Sequence, residues 1–465
     1  MTRLSARPLT WIFADPAAML TVVLVALHQS LIASSAYFLT QTIISYQEEQ
    51  ALKEYLALYL LSIILPFIPG YLSFMTMQRW INAIHRKFTL AMTSTIYGNL
   101  DEYRSIERKS AFESTICRNA FDVISSYAML SHDLLSLTLN SVLSVAVISM
   151  ILPPEIALGY GISLALSTAM VCFLAKGTRK LSVDTGRRYA GYGNTLHKAW
   201  DNAVLGNAYN YHLWMAEFRA TGASYYSSSQ RLTTYKQLGN IAIASAALIP
   251  TAYLVYHLLV IEQIEAAIIA AIIVNLTRIF HILNSLGRLI YELFEWASAS
   301  ARLRYLWAFL LPAATAPLPQ TPAGTITLNG EPISDYQTVR EMLRRHRFGR
   351  MTLRGANGAG KSTLLLSIKH AFAQQAHLLP AGDNPLCWRF KHSNISAGQR
   401  TRAIIDEILQ QGSDIQYLLL DEWDANLDEA NRKLIDQRLD TLSKERVVVE
   451  VRRQESAGLR PAKEP

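Results

Sequence analysis

Residues 349–368 read GRMTLRGANGAGKSTLLLSI, in which a short apolar strand, a glycine-rich turn and an apolar helix follow one another. The turn fits the pattern G-x-x-x-x-G-K-[ST] without a mismatch from Gly355 to Ser362. Glycines let successive backbone N–H groups point towards bound phosphates, and the helix adds the positive end of its dipole. The stretch therefore predicts a phosphate-binding loop (P-loop) in an α/β domain.

We expect the whole loop to contact the phosphates of a nucleotide. Lys361 is expected to reach the β- and γ-phosphates, and the Ser362 hydroxyl to ligate Mg²⁺. The predicted nucleotide-binding residues are Gly355, Ala356, Asn357, Gly358, Ala359, Gly360, Lys361, Ser362 and Thr363.

A second stretch, residues 416–428, reads QYLLLDEWDANLD. Its apolar residues predict a buried strand that ends at Asp421 and Glu422. Behind a P-loop, an acidic residue at the carboxyl end of a strand holds Mg²⁺, and we assign this role to Asp421. Glu422 is placed to polarise an attacking water as a general base. The two stretches together predict a site for ATP and Mg²⁺.

The chain is also poor in charge. Hydrophobic residues make up 51% of it and charged residues 17%, whereas an ordinary soluble domain is nearer a quarter charged. A membrane span needs about 20 mainly apolar residues, and six runs before residue 310 meet this requirement. They are Ala17–Ile44, Tyr55–Met77, Leu134–Leu152, Ile156–Ala175, Ile241–Ile261 and Ile264–Leu283.

The connections between these spans alternate in charge. Short acidic segments join spans one and two, three and four, and five and six, whereas the connections 79–131 and 176–238 are long and basic. The positive-inside tendency places both long connections and both termini in the cytoplasm. It also accounts for the net charge of +8 without a nucleic-acid partner. Aromatic and apolar residues recur in the long connections at helical spacing, so we expect helical extensions of the spans.

Polar residues inside the spans have two interpretations. Arg278 and His281 lie one turn apart in span six, where an ionisable group usually faces a cavity or a partner. Alternatively, span six ends early and both residues lie at the interface. His28 and Gln29 in span one pose the same question. The residues expected only to kink their helices are Pro66, Pro69, Gly70 and Pro250.

A third stretch, residues 395–399, reads ISAGQ. It resembles the LSGGQ signature of the ABC transporter superfamily, with Ala397 in place of the first glycine. Residues 425–428, ANLD, resemble the D-loop of that family, here carried by Asp428. With six spans and two long cytoplasmic extensions, nearly the whole chain resembles an exporter-type half-transporter.

The resemblance implies a dimer with a second copy or with a homologous half-transporter. In such proteins each ATP lies between the P-loop of one chain and the signature of the other. The signature residues implied to act across this interface are Ser396, Ala397, Gly398 and Gln399. We expect coupling to the membrane domain through turns near Tyr103–Ser110 and Tyr209–Phe218.

Three departures from the family pattern affect turnover. Lys361 and Ser396 are only 35 residues apart, so most of the helical subdomain of the family is missing. Ala381 stands where a glutamine normally senses Mg²⁺, and Arg452 stands in place of the switch histidine. Arg452 could take a catalytic part by neutralising γ-phosphate charge, but it cannot accept a proton. We expect Mg-ATP binding with slow or conditional turnover, and Tyr336 is the candidate for stacking on adenine.

These observations predict a multi-domain chain. An all-α six-helix transmembrane domain (1–310) is followed by a linker (311–324), an α/β P-loop NTPase domain without most of the helical subdomain (325–453) and a disordered tail (454–465). The resemblance implies ATP-driven export of an amphipathic small molecule or peptide across the bacterial inner membrane. Two alternatives stay open: a degenerate subunit that binds ATP as a switch, as the silent half of a heterodimer, and a peptide importer of exporter-like fold.

Overall fold

The computed structural model divides into two compact units. The first comprises Met1–Thr93 and Glu113–Leu311, and the second comprises Ser94–Phe112 and Pro312–Pro465. The structure describes residues 12–47, 52–103, 105, 109, 112–113, 119–151, 154–260, 269, 272–273, 285, 288–289, 292–293, 295–296, 299–308, 310, 318–382, 386–389, 397–411, 415–425 and 427–452.

Long apolar helices build the described part of the first unit. Many of their large apolar side chains are exposed, among them Met19, Val23 and Ile68, as expected of helices surrounded by lipid. The long helices are α1 (Pro16–Gln47), α2 (Leu52–Ile64), α3 (Phe67–Ile96), α5 (Ala120–Ile151), α6 (Pro154–His197) and α8 (Ala208–Val260), and the short ones are α4 (Leu100–Tyr103) and α7 (Ala199–Val204).

Five helical segments are long and apolar enough to cross a membrane, which indicates an integral membrane protein. They overlap the first five predicted spans. The predicted sixth span, Ile264–Leu283, lies almost entirely outside the described residues, and so do Arg278 and His281. The five segments are Pro16–Tyr46, Leu52–Ile96, Ala120–Val147, Gly161–His197 and Ala208–His257.

The second predicted span is interrupted at Pro66, between α2 and α3. The Pro66 ring cannot donate a backbone hydrogen bond, and its carbonyl oxygen lies 2.7 Å from Nδ1 of His28 on α1. His28 on α1 therefore contacts the backbone where α2 ends and α3 has not yet begun. Pro69 and Pro250 lie within helices that continue through them.

Helices α6 and α8 extend far beyond a bilayer. They contain 44 and 53 residues, or about 66 and 80 Å at 1.5 Å per residue, against roughly 30 Å of hydrocarbon. The predicted helical extension in this connection is therefore confirmed. The predicted turn near Tyr209–Phe218 is wrong, because these residues lie inside α8. The chain reverses through α7 and Gly206, which has a φ of 71°.

The second unit is built on a six-stranded sheet with the order β2-β1-β3-β6-β5-β4. Strands β3, β6, β5 and β4 are parallel, and β1 is antiparallel to both of its neighbours. Leu353, Val451 and Asp421 share one level at the carboxyl ends of three adjacent strands. The strands are β1 (Ile326–Leu328), β2 (Glu331–Pro332), β3 (Gly349–Gly355), β4 (Ala376–Leu379), β5 (Tyr417–Asp421) and β6 (Val447–Val451).

Helices cover both faces of this sheet, so the predicted α/β part is confirmed. Helices α9 (Tyr336–Arg345) and α10 (Lys361–Phe372) share one apolar core with the sheet. Helices α11 (Ala397–Gln411) and α12 (Glu429–Leu442) share the core on the opposite face. The helix that follows the P-loop and the helix that begins at Ala397, within the predicted signature, therefore pack on opposite faces of the sheet.

Residues 318–324, predicted as linker, belong to this folded unit. The backbone N–H groups of Ala323 and Gly324 donate to the Ala359 carbonyl oxygen at 3.0 and 3.2 Å, and the Gln320 carbonyl accepts from Tyr336. Leu318 is buried. The folded unit therefore begins before the predicted boundary at residue 325. The proline- and alanine-rich composition of this stretch did not indicate these contacts.

Candidate nucleotide site

The P-loop joins the carboxyl end of β3 to the start of α10. Gly360 is the N-cap of α10 with a φ of 107°, a conformation that glycine adopts without strain. A Cβ atom at this position would also lie only 2.4 Å from the Tyr336 hydroxyl. The local sequence thus permits the tight turn that leaves the first N–H groups of α10 without partners inside the helix.

The side chain of Tyr336 stabilises this turn. Its hydroxyl donates to the Gly360 carbonyl oxygen at 3.0 Å, and the residue is only 1% exposed. A side chain so buried cannot stack on a nucleotide base. The prediction of Tyr336 as the adenine-stacking residue is therefore wrong.

Lys361 folds back on the P-loop. Its Nζ donates to the carbonyl oxygens of Gly355 at 2.8 Å and Ala356 at 3.0 Å. The residue is largely buried, so its ammonium group lies within the curve of the loop. In this position the positive charge of Lys361 can form hydrogen bonds with phosphate oxygens that enter the loop.

Ser362 and Asp421 meet at the carboxyl edge of the sheet. The Ser362 hydroxyl lies close enough to the Asp421 carboxylate to lower its pKa, although the two residues are 59 positions apart in the chain. A hydroxyl and a carboxylate are oxygen ligands of the kind that Mg²⁺ prefers. Ser362 and Asp421, which the sequence predicted as Mg²⁺ ligands, are therefore close to each other, and both offer oxygen atoms that suit this ion.

The Asp421 carboxylate is held in an unfavourable environment for its charge. Burial raises its pKa, and the neighbouring charge of Glu422 adds to this rise, while the Ser362 hydroxyl and the Lys361 ammonium oppose it. A divalent cation would relieve both unfavourable effects.

Glu422 leaves the strand in a strained conformation. Its φ is 44°, which is uncommon for a residue with a side chain, and its N–H donates to the Val451 carbonyl oxygen at 3.1 Å. Such strain persists only where the surroundings impose it and is frequent at functional sites. The predicted general base thus lies at the same sheet edge as Asp421.

The start of α11 packs against the start of α12. A Cβ on Gly398 would lie 2.7 Å from Nδ2 of Asn431, so the close approach requires glycine. Asp428 caps α12 by accepting from the Asn431 backbone N–H at 2.7 Å, and this bond lowers the pKa of Asp428. The structure therefore places Gly398 of the predicted signature beside α12, which Asp428 of the predicted D-loop caps, while Ser396 lies outside the described residues and only the backbone of Ala397 is described.

Arg452 is turned towards α12. Its Nε donates to the Glu450 carboxylate at 3.0 Å and a terminal nitrogen bonds Asp436. Its guanidinium also lies 5.6 Å from the centre of the Trp423 ring. The predicted contact with a γ-phosphate would require the side chain to leave both carboxylates. Ala381, at the position of the missing glutamine, is exposed on its turn.

Two further features of the second unit escaped prediction from the sequence. A cavity of 540 Å³ beside the P-loop is lined by Thr325, Thr327 and Arg354 as well as by residues 355–359. Arg354 is the one cation among its described lining residues. The alternation of residues along β3 could have indicated that Arg354 is exposed, since Met351 and Leu353 are buried and Arg354 is on the alternate face of the strand.

The second feature is Tyr103, at the end of α4. The segment Ser94–Phe112 groups with the second unit, and burial together with the negative charge of Asp421 raises the pKa of the Tyr103 hydroxyl. The predicted coupling turn near Tyr103–Ser110 thus begins in the electrostatic range of the predicted Mg²⁺ ligand.

No known family model matches this chain, and no curated protein sequence is significantly similar to it. The geometry of the P-loop and of the Ser362–Asp421 pair is therefore what bears on its function.

Proposed function

We propose that this protein is an ABC-type half-transporter that uses ATP to export an amphipathic compound. The observation that carries the proposal is the proximity of the Ser362 hydroxyl to the Asp421 carboxylate, in a chain that also has five helices fit to cross a membrane. This pair places a hydroxyl and a carboxylate beside a glycine-rich helix start, which is the arrangement that Mg-ATP binding requires.

Binding begins at the P-loop. The backbone N–H groups at the start of α10 donate to phosphate oxygens, and the helix dipole favours their negative charge. Lys361 exchanges the Gly355 and Ala356 carbonyls, which it bonds in this structure, for β- and γ-phosphate oxygens. Ser362 and Asp421 hold Mg²⁺, which neutralises charge on those phosphates when bound.

Hydrolysis would use Glu422. Its carboxylate accepts a proton from the attacking water as the water oxygen bonds to the γ-phosphorus. The bond from that phosphorus to the β–γ bridging oxygen then breaks, and ADP leaves with the electron pair. The strained φ of 44° at Glu422 supports this role, because it directs the residue after the strand away from the regular sheet.

A second chain completes the site in this proposal. The P-loop helix and the signature helix pack on opposite faces of the sheet within one chain. Pairing of two chains head to tail brings each P-loop to the signature of its partner, and ATP then draws the two nucleotide units together.

Motion would reach the membrane helices through the ends of the two extensions. One end is the segment Ser94–Phe112, where Tyr103 lies within the electrostatic influence of Asp421. The other is α7 with the following turn, where Trp200, Val204 and Leu205 are 74%, 61% and 69% exposed. Exposed apolar side chains in such a cluster are typical of a surface that binds a partner.

The structure also favours a second candidate, in which ATP acts as a switch without efficient turnover. Arg452 is held by Glu450 and Asp436, and an alanine replaces the glutamine at residue 381. A chain of this kind would pair with a homologous half-transporter that hydrolyses ATP. Glu422→Gln separates the candidates, because it abolishes ATPase activity of the purified chain in the first and changes nothing measurable in the second.

Export itself is tested with Lys361→Ala. Cells that produce equal amounts of the wild-type chain or of Lys361→Ala are compared by mass spectrometry of their culture medium. Lys433→Ala, which removes an exposed lysine paired with Glu429, is the matched control. We expect at least one amphipathic compound that the wild type and the control export and Lys361→Ala does not. A compound exported equally by all three chains would contradict ATP-driven transport.

A further inference from the structure

A cavity of 690 Å³ lies in the first unit between α6, α8 and the helical residues Glu295 and Ala301. Its size is within the range of sites that bind small molecules, roughly 300–1,000 Å³. It is separate from the nucleotide site, since every described residue that lines it belongs to the first unit.

One end of the cavity is apolar. Val171 and Leu174 on α6 face Ile243 on α8, and the three side chains form a small core. Val171 and Ile243 are 4% and 6% exposed. These residues lie inside the predicted spans four and five, which end at Ala175 and begin at Ile241.

The other end is cationic. Lys176 directly follows the predicted end of span four and Arg179 lies one turn further on, while Lys236 precedes the start of span five. Lys236 is paired with Glu295 at 2.9 Å, so this pair is neutral as a whole. Lys176 and Arg179 are exposed, and neither has an ion-pair partner among the described residues. Among the described lining residues, two positive charges are therefore uncompensated.

The change from apolar to cationic walls falls at the predicted hydrocarbon boundary on both helices. An occupant must therefore present an apolar part to Val171, Leu174 and Ile243 and an anionic group to Lys176 and Arg179. A soluble anion would leave the apolar wall uncovered, and a neutral amphiphile would leave the charges unmatched. Anionic phospholipids of the cytoplasmic leaflet have both parts and are present at this depth.

We propose that this cavity binds the head group and upper acyl chain of an anionic phospholipid. Lys176 and Arg179 hold the phosphate, and the apolar wall holds the chain. The proposal rests on the membrane topology of the proposed function but not on ATP binding or hydrolysis. A lipid held between α6 and α8 would link these helices at the point where they leave the bilayer.

The test uses the full-length chain, purified in a neutral detergent without nucleotide. It is titrated with phosphatidylglycerol or phosphatidylcholine of the same acyl chains, and bound lipid is counted by native mass spectrometry. We expect the wild type to retain phosphatidylglycerol in preference to phosphatidylcholine. Glycerol 3-phosphate, which has the head-group anion without acyl chains, should not compete at equal concentration.

Charge removal gives the decisive comparison. Each of Lys176→Gln and Arg179→Gln should lower the affinity for phosphatidylglycerol about fivefold, and the double variant roughly 30-fold. The matched control is Lys180→Gln with Arg187→Gln, which removes two exposed cations of the same helix that do not line the cavity. The control should bind as the wild type does.

Three results would overturn the proposal. The first is equal retention of the two lipids by the wild type, and the second is an equal loss in the cavity variant and the control. The third is full competition by glycerol 3-phosphate, which would assign the cavity to a free anion. Thermal unfolding of each variant confirms that it is folded, and loss of ATP binding would affect the proposed function without changing any of these results.

Discussion

Asp421 illustrates a conflict between the stability of the nucleotide-free protein and its proposed function. The residue is 8% exposed, and burial and the charge of Glu422 raise the pKa of its carboxyl group. A group with a raised pKa in the folded state binds its proton more tightly there, so the stability of the protein falls as pH rises from about 4 through the raised pKa. At neutral pH the ionised carboxylate destabilises the nucleotide-free protein.

Asp421→Asn should therefore stabilise the nucleotide-free protein at pH 7, by roughly 0.5–1 kcal/mol, and weaken the decline in stability above pH 4. The amide keeps an acceptor for Ser362 but loses the charge that Mg²⁺ requires. Mg-ATP at a hundredfold excess over Kd should add about 2.7 kcal/mol to the stability of the wild type and much less to that of the variant. Thermal unfolding of the full-length chain measures both effects.

Glu429→Gln is the control for this prediction, since Glu429 is an exposed acid of the same unit. It should leave both the pH dependence and the response to Mg-ATP unchanged. A wild-type response to Mg-ATP in Asp421→Asn would mean that Asp421 does not hold the metal.

The P-loop and Asp421 could be predicted because their signals are local. A glycine at each required position and an acid directly after an apolar run need no knowledge of distant residues. The partners of Arg452 could not be predicted in this way. Asp436 is 16 residues away on a helix of the other layer, and only the packing of α12 brings it to the end of β6.

Strand β6 contains a buried acid, Glu450, at the centre of an ion-pair cluster in which Arg350 and Arg452 also bind Asp436 on α12. Glu450 is 1% exposed and accepts from both Arg350 and Arg452, from the former through two nitrogens at 3.1 and 3.0 Å. It also accepts from Thr352 at 3.0 Å and from Trp423 Nε1 at 2.9 Å. Every acceptor position of this carboxylate is therefore used.

Glu450→Gln should destabilise the second unit by about 3–5 kcal/mol, because it leaves the cations of a buried cluster without their central carboxylate. Asp440→Asn is the matched control: Asp440 also binds Arg350 but its side chain is 64% exposed, so the cost should be below about 1 kcal/mol. Denaturant unfolding of the full-length chain compares the two. Equal losses would show that burial of Glu450 does not determine its contribution.

The helical elements show what periodicity can and cannot predict. Apolar and aromatic residues at helical spacing correctly predicted that the connection 176–238 continues the helices of spans four and five. They misplaced its turn, because Tyr209–Phe218 carry the same pattern as the rest of α8. The glycine at residue 206, with its positive φ, was the available signal for the reversal.

The two units of the molecule support different parts of the proposed function. The first indicates an integral membrane protein through its five long apolar helices. The second contains a P-loop, a predicted Mg²⁺ pair and a predicted signature on one mixed sheet. Transport needs both, together with a partner chain that presents its signature to the P-loop. The proposed function depends on that pairing of two chains.

The most direct test is an ATP-dependent disulfide between subunits. Asn357 and Gln399, both exposed, are replaced together by cysteine in a chain whose natural cysteines are changed to serine and which carries Glu422→Gln to retain ATP. In membranes of cells that produce this chain, Mg-ATP should yield a covalent dimer under mild oxidation, and either single replacement should not. A chain that binds ATP yet stays monomeric under these conditions would contradict the pairing on which the account depends.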